Sequence, residues 1–296
     1  MNYTGEISAL LTAFLWSWTS IFFSEAGIRV GSVQVNITRL ILAGIYLLVT
    51  IVVMNYSLAL SSMQVFYLVL SGMIGLVFGD TYLFKAFQHI GPRLSMLIMS
   101  LSPAIAALIA YFALGETLSV MGIIGIVITL VGISLVVIQK EEHPTSKYKI
   151  SRIGIFYAFL GAVGQGAGLI FAKQAFNLGP INEFSATFIR ISSSVIIMLP
   201  VGIMAGKYQN PFTVYKKEKT ALAYTIGGSI CGPYLGITLS LLAISHTKVG
   251  IASTIMSTVP ILLLPIVRFV YKEKLTWKSV VGAVVCVAGV AILFLI

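Results

Sequence analysis

Asp80 is the side chain most able to do chemistry here, because it interrupts the apolar run Gly-Leu-Val-Phe-Gly-Asp-Thr-Tyr-Leu-Phe that ends at Phe84. A carboxylate in such surroundings carries a proton, anchors a cationic group, or is neutralised by a nearby Lys, Arg or hydroxyl. Trp16, Phe84 and Tyr234, with Trp18 and Phe22, also sit in apolar runs. Aromatic rings there either line a cavity for an apolar or cationic ligand or simply pack. Gln165, Ser100 and Ser257 add hydrogen-bonding groups to otherwise apolar segments. Trp16, Asp80, Phe84, Ser100, Gln165, Tyr234 and Ser257 therefore form the candidate ligand-binding set, and Asp80 doubles as the candidate proton-coupling group.

Other polar residues occur in matched pairs. Arg39 and Arg190 stand near the starts of two apolar runs, where a long cationic side chain snorkels or ties down a helix end. Glu116 and Glu273 precede runs in LGETLS and YKEKLT and suit a positive helix N-terminus. His89 and His246 form a third pair, and Pro103 and Pro260 a fourth that breaks the helical ladder. All are expected to be structural. There is no Gly-rich phosphate loop, metal-ligand cluster or nucleophile elbow, so an enzyme, a metal and a cofactor are not expected.

The elements that must hold these residues are set by the solvent. Of 296 residues, 58% are hydrophobic and 9% charged, against about 25% charged in soluble domains. Apolar runs cover residues 6–25, 35–54, 64–87, 94–113, 119–138, 152–174, 183–205, 220–243, 249–270 and 277–296. A spanning helix needs about 20 apolar residues, and in lipid only helices satisfy the backbone over such lengths. The first run lacks a basic leader and is not expected to be a cleaved signal. Cys231 and Cys286 fall inside runs and read as packing residues.

The chain also repeats itself. An offset of 157, from Gly75 to Gly232, places Gly79 on Gly236, Ala86 on Ala243, His89 on His246, Pro103 on Pro260, Glu116 on Glu273, Gly125 on Gly282 and Gly132 on Gly289. A slightly smaller offset pairs Phe22 with Phe171 and Arg39 with Arg190. The expected fold is an all-α membrane protein of ten transmembrane helices, with five-helix repeats at 1–139 and 152–296 and a polar loop at 140–151. Five is odd, so the second repeat enters from the opposite side, and inverted repeats enclose a central cavity. Asp80 falls on Ile237 and Trp16 on Gln165, which marks these as positions the shared scaffold does not require.

The net charge of +10 resides in loops, which argues against nucleic acid. Lys173 and Lys248 are the basic residues on one side, while Arg29, Arg93, Lys147, Lys216 and Lys217 are among many on the other. The positive-inside rule then puts the central loop in the cytoplasm and both termini outside.

These residues resemble the EamA-type members of the drug/metabolite transporter superfamily over almost the whole chain. The resemblance is carried by Trp16 in ALLTAFLWSWTSIFFSEAG, Arg39 in NITRLILAG, the segment from GDTYLFKAFQHIGPR to LGETLS, and the doubled pattern Pro103/Glu116 and Pro260/Glu273. It implies a ten-helix secondary carrier around a central cavity, in a family whose members export amino acids or other small metabolites. Ser24-Glu25 stands where many members have Lys, which with Asp80 favours zwitterions or cations over anions. The expected function is alternating-access transport of a small polar metabolite, an amino acid or related zwitterion, across the cytoplasmic membrane, with protons as the coupling ion. A carrier of choline-like amines is the alternative, and a channel or receptor is the alternative of another class. The polar points are isolated rather than a continuous stripe, which disfavours the channel. Partners are the substrate, the bilayer and protons; a monomer is expected.

Overall fold

The computed structural model describes residues 3–114, 119–137, 151–247, 249–272 and 275–295, and every regular element among them is helical. The expected structural residues Glu116 and Glu273, and the loop lysines Lys147 and Lys248, lie outside the described residues. Helix α1 (Thr4–Val30) meets α2 (Ser32–Met54) at Gly31, whose φ of +89° suits glycine. Ser61 and Gln64 close a reciprocal capping box at the start of α3 (Ser62–Ser71). A π-helical stretch at Gly72–Gly79 then leads into α4 (Asp80–Met99) and α5 (Ser102–Leu114). After α6 (Val120–Val137), Ser151 caps α7 (Arg152–Asn177) and Asn182 caps α8 (Glu183–Met204).

The stretch 206–220, expected as a loop, contains the short helix α9 (Pro211–Lys217). Asn210 caps it and Pro211 sits at its first turn, a combination that starts helices. Beyond it lie α10 (Lys219–Ser229), a second π-helical stretch (Ile230–Gly236), α11 (Ile237–His246), α12 (Val249–Met256), α13 (Val259–Val270) and α14 (Trp277–Leu295).

Helix occupies each of the ten apolar runs, but seven helices among the described residues are long and apolar enough to cross a membrane; Val120–Val136 and Trp277–Ile292 are apolar and shorter. Those two account for two of the three missing spans, and the third has a local cause. Runs 64–87 and 94–113 are joined through a kink at Gly91, where φ is +73° and Pro92 follows. Pro92 has no N–H to give the Gln88 carbonyl, and Ser95 Oγ donates to the Gly91 carbonyl at the start of the next turns (2.7 Å). The chain then turns at Ser100 and Leu101, splitting the fourth run into the end of α4 and α5.

Local irregularities recur at the 157-residue offset. The two π-helical stretches end on Gly79 and Gly236, and the turn at Ser100–Leu101 matches one at Ser257–Thr258. Packing follows the same pattern. On α7, a Cβ added at Gly164 would stand 2.5 Å from Gly79 Cα, and one at Gly168 2.9 Å from Gly75 Cα. On the other side α1 takes that place: a Cβ at Gly236 would meet Trp16 Nε1 at 2.6 Å, and one at Gly232 Thr19 Cγ2 at 2.8 Å. Helices α6 and α14 pack through small residues, since a Cβ on Gly132 would lie 2.8 Å from the Gly282 carbonyl and one on Gly289 2.7 Å from that of Gly125.

Candidate functional site

Trp16, Thr19, Ser20 and Phe23 follow the spacing of one face of α1, and Asp80, Leu83, Phe84 and Phe87 follow the same spacing on α4. These two stripes face a cavity of about 180 Å³, closed by Gln165 and Leu169 of α7, Arg39 of α2, Arg190 of α8, Ile237, and residues beside both chain turns, including Ser100 and Ser257. Both halves therefore supply its wall. Its size is below the ~300–1,000 Å³ of drug-sized sites and suits a metabolite. The wall is mostly apolar, and Arg39, Asp80 and Arg190 are its acidic and basic residues.

Asp80 is 5% exposed and fully engaged. One carboxylate oxygen pairs with Arg39 Nη2, and the other accepts from Gln165 Nε2. Gln165 Nε2 also donates to the Gly75 carbonyl (3.1 Å), which ties the acid to α7 and to the π-helical stretch before it. Arg39 is equally committed. Its Nε donates to Asn36 Oδ1 (2.9 Å), and its guanidinium lies 4.6 Å from the Phe84 ring centroid and 5.2 Å from that of Phe23. A buried ion pair holds only when both members have such further contacts.

Arg190, the repeat counterpart of Arg39, has no such company. It is 5% exposed, its Nε has no hydrogen-bond partner, and its guanidinium joins no ion pair among the described residues. Its Nη2 reaches toward the first half, 3.6 Å from a Cβ built on Gly75. The local frame is nevertheless shared by both corners. Asn36 Nδ2 donates to Thr81 Oγ1 (3.3 Å) between α2 and α4; at the equivalent positions Thr238 Oγ1 and Thr187 Oγ1 stand 3.5 Å apart between α11 and α8, while each donates within its own helix, to the Tyr234 and Glu183 carbonyls (2.6 and 2.7 Å). In that common frame Asp80 occupies one corner and Ile237 the other.

Six of the seven expected ligand-binding residues, Trp16, Asp80, Phe84, Ser100, Gln165 and Ser257, line this one cavity. Tyr234 does not: its hydroxyl lies 2.9 Å from Thr50 Oγ1 and its ring against Tyr46 and Phe184. It sits in the second π-helical stretch, whose wider turn changes the direction of side chains relative to an α-helix. Trp18 and Phe22 also lie outside the wall, packed with each other and with Tyr224. Arg39, Arg190 and Pro103, expected as scaffold, are in it, whereas Pro260 is buried away from it. His89 packs on Tyr157, and His246 is exposed beside Ser245. Thr19, Phe23 and Phe87 were not singled out, although helical spacing from Trp16 and Asp80 reaches them. Glu25 contributes no charge to the wall, since it pairs with Arg29 one turn on (2.7 Å).

Comparison with known proteins follows the same division of the chain. The family model described as EamA-like transporter family matches twice, at residues 3–138 and 152–295. An uncharacterized transporter of Archaeoglobus fulgidus is 21% identical over 98% of this chain and 97% of its own length. One of Bacillus subtilis is 29% identical over 42% of this chain, and the match spans only 39% of that relative. A solved crystal structure superposes on all of the chain and 98% of its own, with a TM-score of 0.69 at 16% identity, a likeness of fold alone.

Proposed function

The chain belongs to the EamA-like transporter family, and from that premise we propose that it carries a small polar metabolite, an amino acid or related zwitterion, across the cytoplasmic membrane by alternating access. The observation that carries this reading is the largely apolar cavity built from both halves, with a few charged and hydrogen-bonding groups converging on it.

The proposal includes ten spanning helices in two inverted five-helix repeats. Support comes from how α6 and α14 meet. Gly132 touches Gly282, the counterpart of Gly125, while Gly289, the counterpart of Gly132, touches Gly125. Such an exchange of partners is what a two-fold relation produces. The pairing runs antiparallel, so the axis crosses the helices rather than following them. The same exchange holds where α7 packs on Gly75 and α1 packs on Gly232. Two inverted halves around one site can rock between openings on either side. The central loop is placed in the cytoplasm and both termini outside, on the distribution of basic residues.

Asp80 is the proposed point of proton coupling. Its protonation would dissolve the pair with Arg39 and so couple charge to the packing of α2 against α4. Reconstituted into liposomes preloaded with unlabelled amino acids, the full chain is expected to take up labelled amino acid by counterflow above empty liposomes. An imposed pH gradient is expected to drive uptake in the wild type and not in Asp80→Asn. Absence of counterflow for every amino acid overturns the substrate assignment, and unchanged pH-driven uptake by Asp80→Asn overturns the coupling assignment.

A further inference from the structure

We infer that Arg190 is the anchor for a carboxylate of the ligand, which takes beside Arg190 the place that Asp80 takes beside Arg39; this rests on the transport reading above. The argument starts from equivalence. Arg39 and Arg190 are repeat counterparts, both are buried to within about one-twentieth of full exposure, and both face the same cavity. Each sits where two helices meet at a matching polar contact, the Asn36–Thr81 hydrogen bond in one half and the Thr187 and Thr238 hydroxyls, 3.5 Å apart, in the other. The residue that supplies the carboxylate in the first half, Asp80, is replaced in the second by Ile237, which also lines the cavity. The second corner thus has the arginine without a carboxylate of its own; the acid whose field reaches it is Asp80, whose two oxygens Arg39 and Gln165 already hold.

Charge and chemistry agree with this. The wall carries two guanidinium groups against one carboxylate, an excess of one positive charge that a single monoanionic group would balance. Asp80 is not available as a cation site, because Arg39 and Gln165 already hold its two oxygens. Glu25, whose sequence position pointed toward cations, is paired with Arg29 outside the cavity wall. A guanidinium presents a planar fork that matches a carboxylate, and for a buried guanidinium such as that of Arg190 the match favours acids over neutral or cationic head groups. The remainder of the ligand meets Leu76, Leu83, Phe87 and Met99 and the hydroxyls of Ser100 and Ser257, a lining without further charge. The required group is therefore the carboxylate. The ammonium of an amino acid is dispensable.

The test uses the full chain in detergent and a graded series of carboxylates, from acetate to 4-methylpentanoate and leucine, each with its amide, together with 3-methylbutylamine. Thermal stabilisation is expected from carboxylates of fitting size, including those that lack an amino group, and not from the amides or the amine. Arg190→Gln is expected to weaken carboxylate binding by about tenfold or more. Ile237→Asp, which places a carboxylate in the vacant corner, is expected to weaken it by a similar factor and to raise the melting temperature of the ligand-free protein. Ile237→Asn is expected to do neither. The inference is overturned by amides or the amine binding as tightly as the acids, by no carboxylate binding up to about 10 mM, or by Ile237→Asp binding acids as the wild type does. The comparison of acids with amides needs no variant, so it stands even if a substituted chain fails to fold. Acid binding without counterflow in liposomes would leave the Arg190 assignment and remove the transport reading; counterflow of amides or amines would do the reverse.

Discussion

The corner around Arg39 and the corner around Arg190 have the same backbone frame and the same cation, and differ in one acidic residue. The first is closed: Arg39 is held by Asp80, Asn36 and two aromatic rings, and Asp80 is held in turn by Gln165. The second is open, with Ile237 in place of the acid and Trp16 in place of the amide. An internal duplication starts from equal corners. What separates them now is that one satisfies its charge within the protein and the other does not.

Removing the acid from the closed corner should break the comparison most severely. Asp80→Leu leaves Arg39 buried without its counter-ion beside an already unpaired Arg190, and truncating one member of a buried pair costs about 3–5 kcal/mol. The expected result is a large fall in thermal stability in detergent. The double variant Arg39→Leu/Asp80→Leu should recover most of that loss, because Arg39 is no longer left as a newly orphaned charge. If the single and double variants melt together, the pair does not hold α2 against α4.

The open corner predicts the opposite sign. Arg190→Leu removes a buried cation that has no ion-pair partner in the protein, so its stability should lie between no change and a gain of about 2 kcal/mol, set against the several kcal/mol that burying an unpaired ion costs. Arg39→Leu, at the equivalent position, should lose stability because it orphans Asp80. Equal losses for the two arginine variants would mean that Arg190 has an internal role equivalent to that of Arg39.

Much of this arrangement could be read before any coordinates. The apolar runs placed the helices, and the comparison of Asp80 with Ile237 and of Trp16 with Gln165 pointed to four residues that now face one cavity. The roles of Arg39 and Arg190 were not legible, because a symmetric pair of identical residues looks like scaffold. Their difference lies in partners distant along the chain, and only the packing brings these together. Tyr234 lies off the cavity wall in a π-helical stretch, whose wider turn redirects side chains, and an apolar run does not reveal such a stretch. Thr19 and Phe23 were within reach, since they lie one and two turns from Trp16 on its own face. The α9 helix announced itself through Asn210 and Pro211, but its brevity and its lysines resembled a loop.

The smallest effect sharpens the comparison by testing what lies outside it. Glu25 stands where the family resemblance led a cation to be expected, and from sequence alone its charge bears on ligand choice. In the structure it forms a pair one helical turn apart with Arg29, whose side chain is 31% exposed, and neither residue lines the cavity. Glu25 itself is only 8% exposed, so the pair is worth more than the ~0–1 kcal/mol of a fully exposed one, but Gln keeps the side-chain oxygen that accepts from Arg29 and leaves no buried unpaired charge. Glu25→Gln should therefore change the melting temperature little and leave counterflow and the preference for acids over amides as in the wild type. If instead the variant binds carboxylates more tightly, the charge of Glu25 reaches the ligand. The open corner would then be balanced by two acids rather than by a carboxylate that the substrate brings with it.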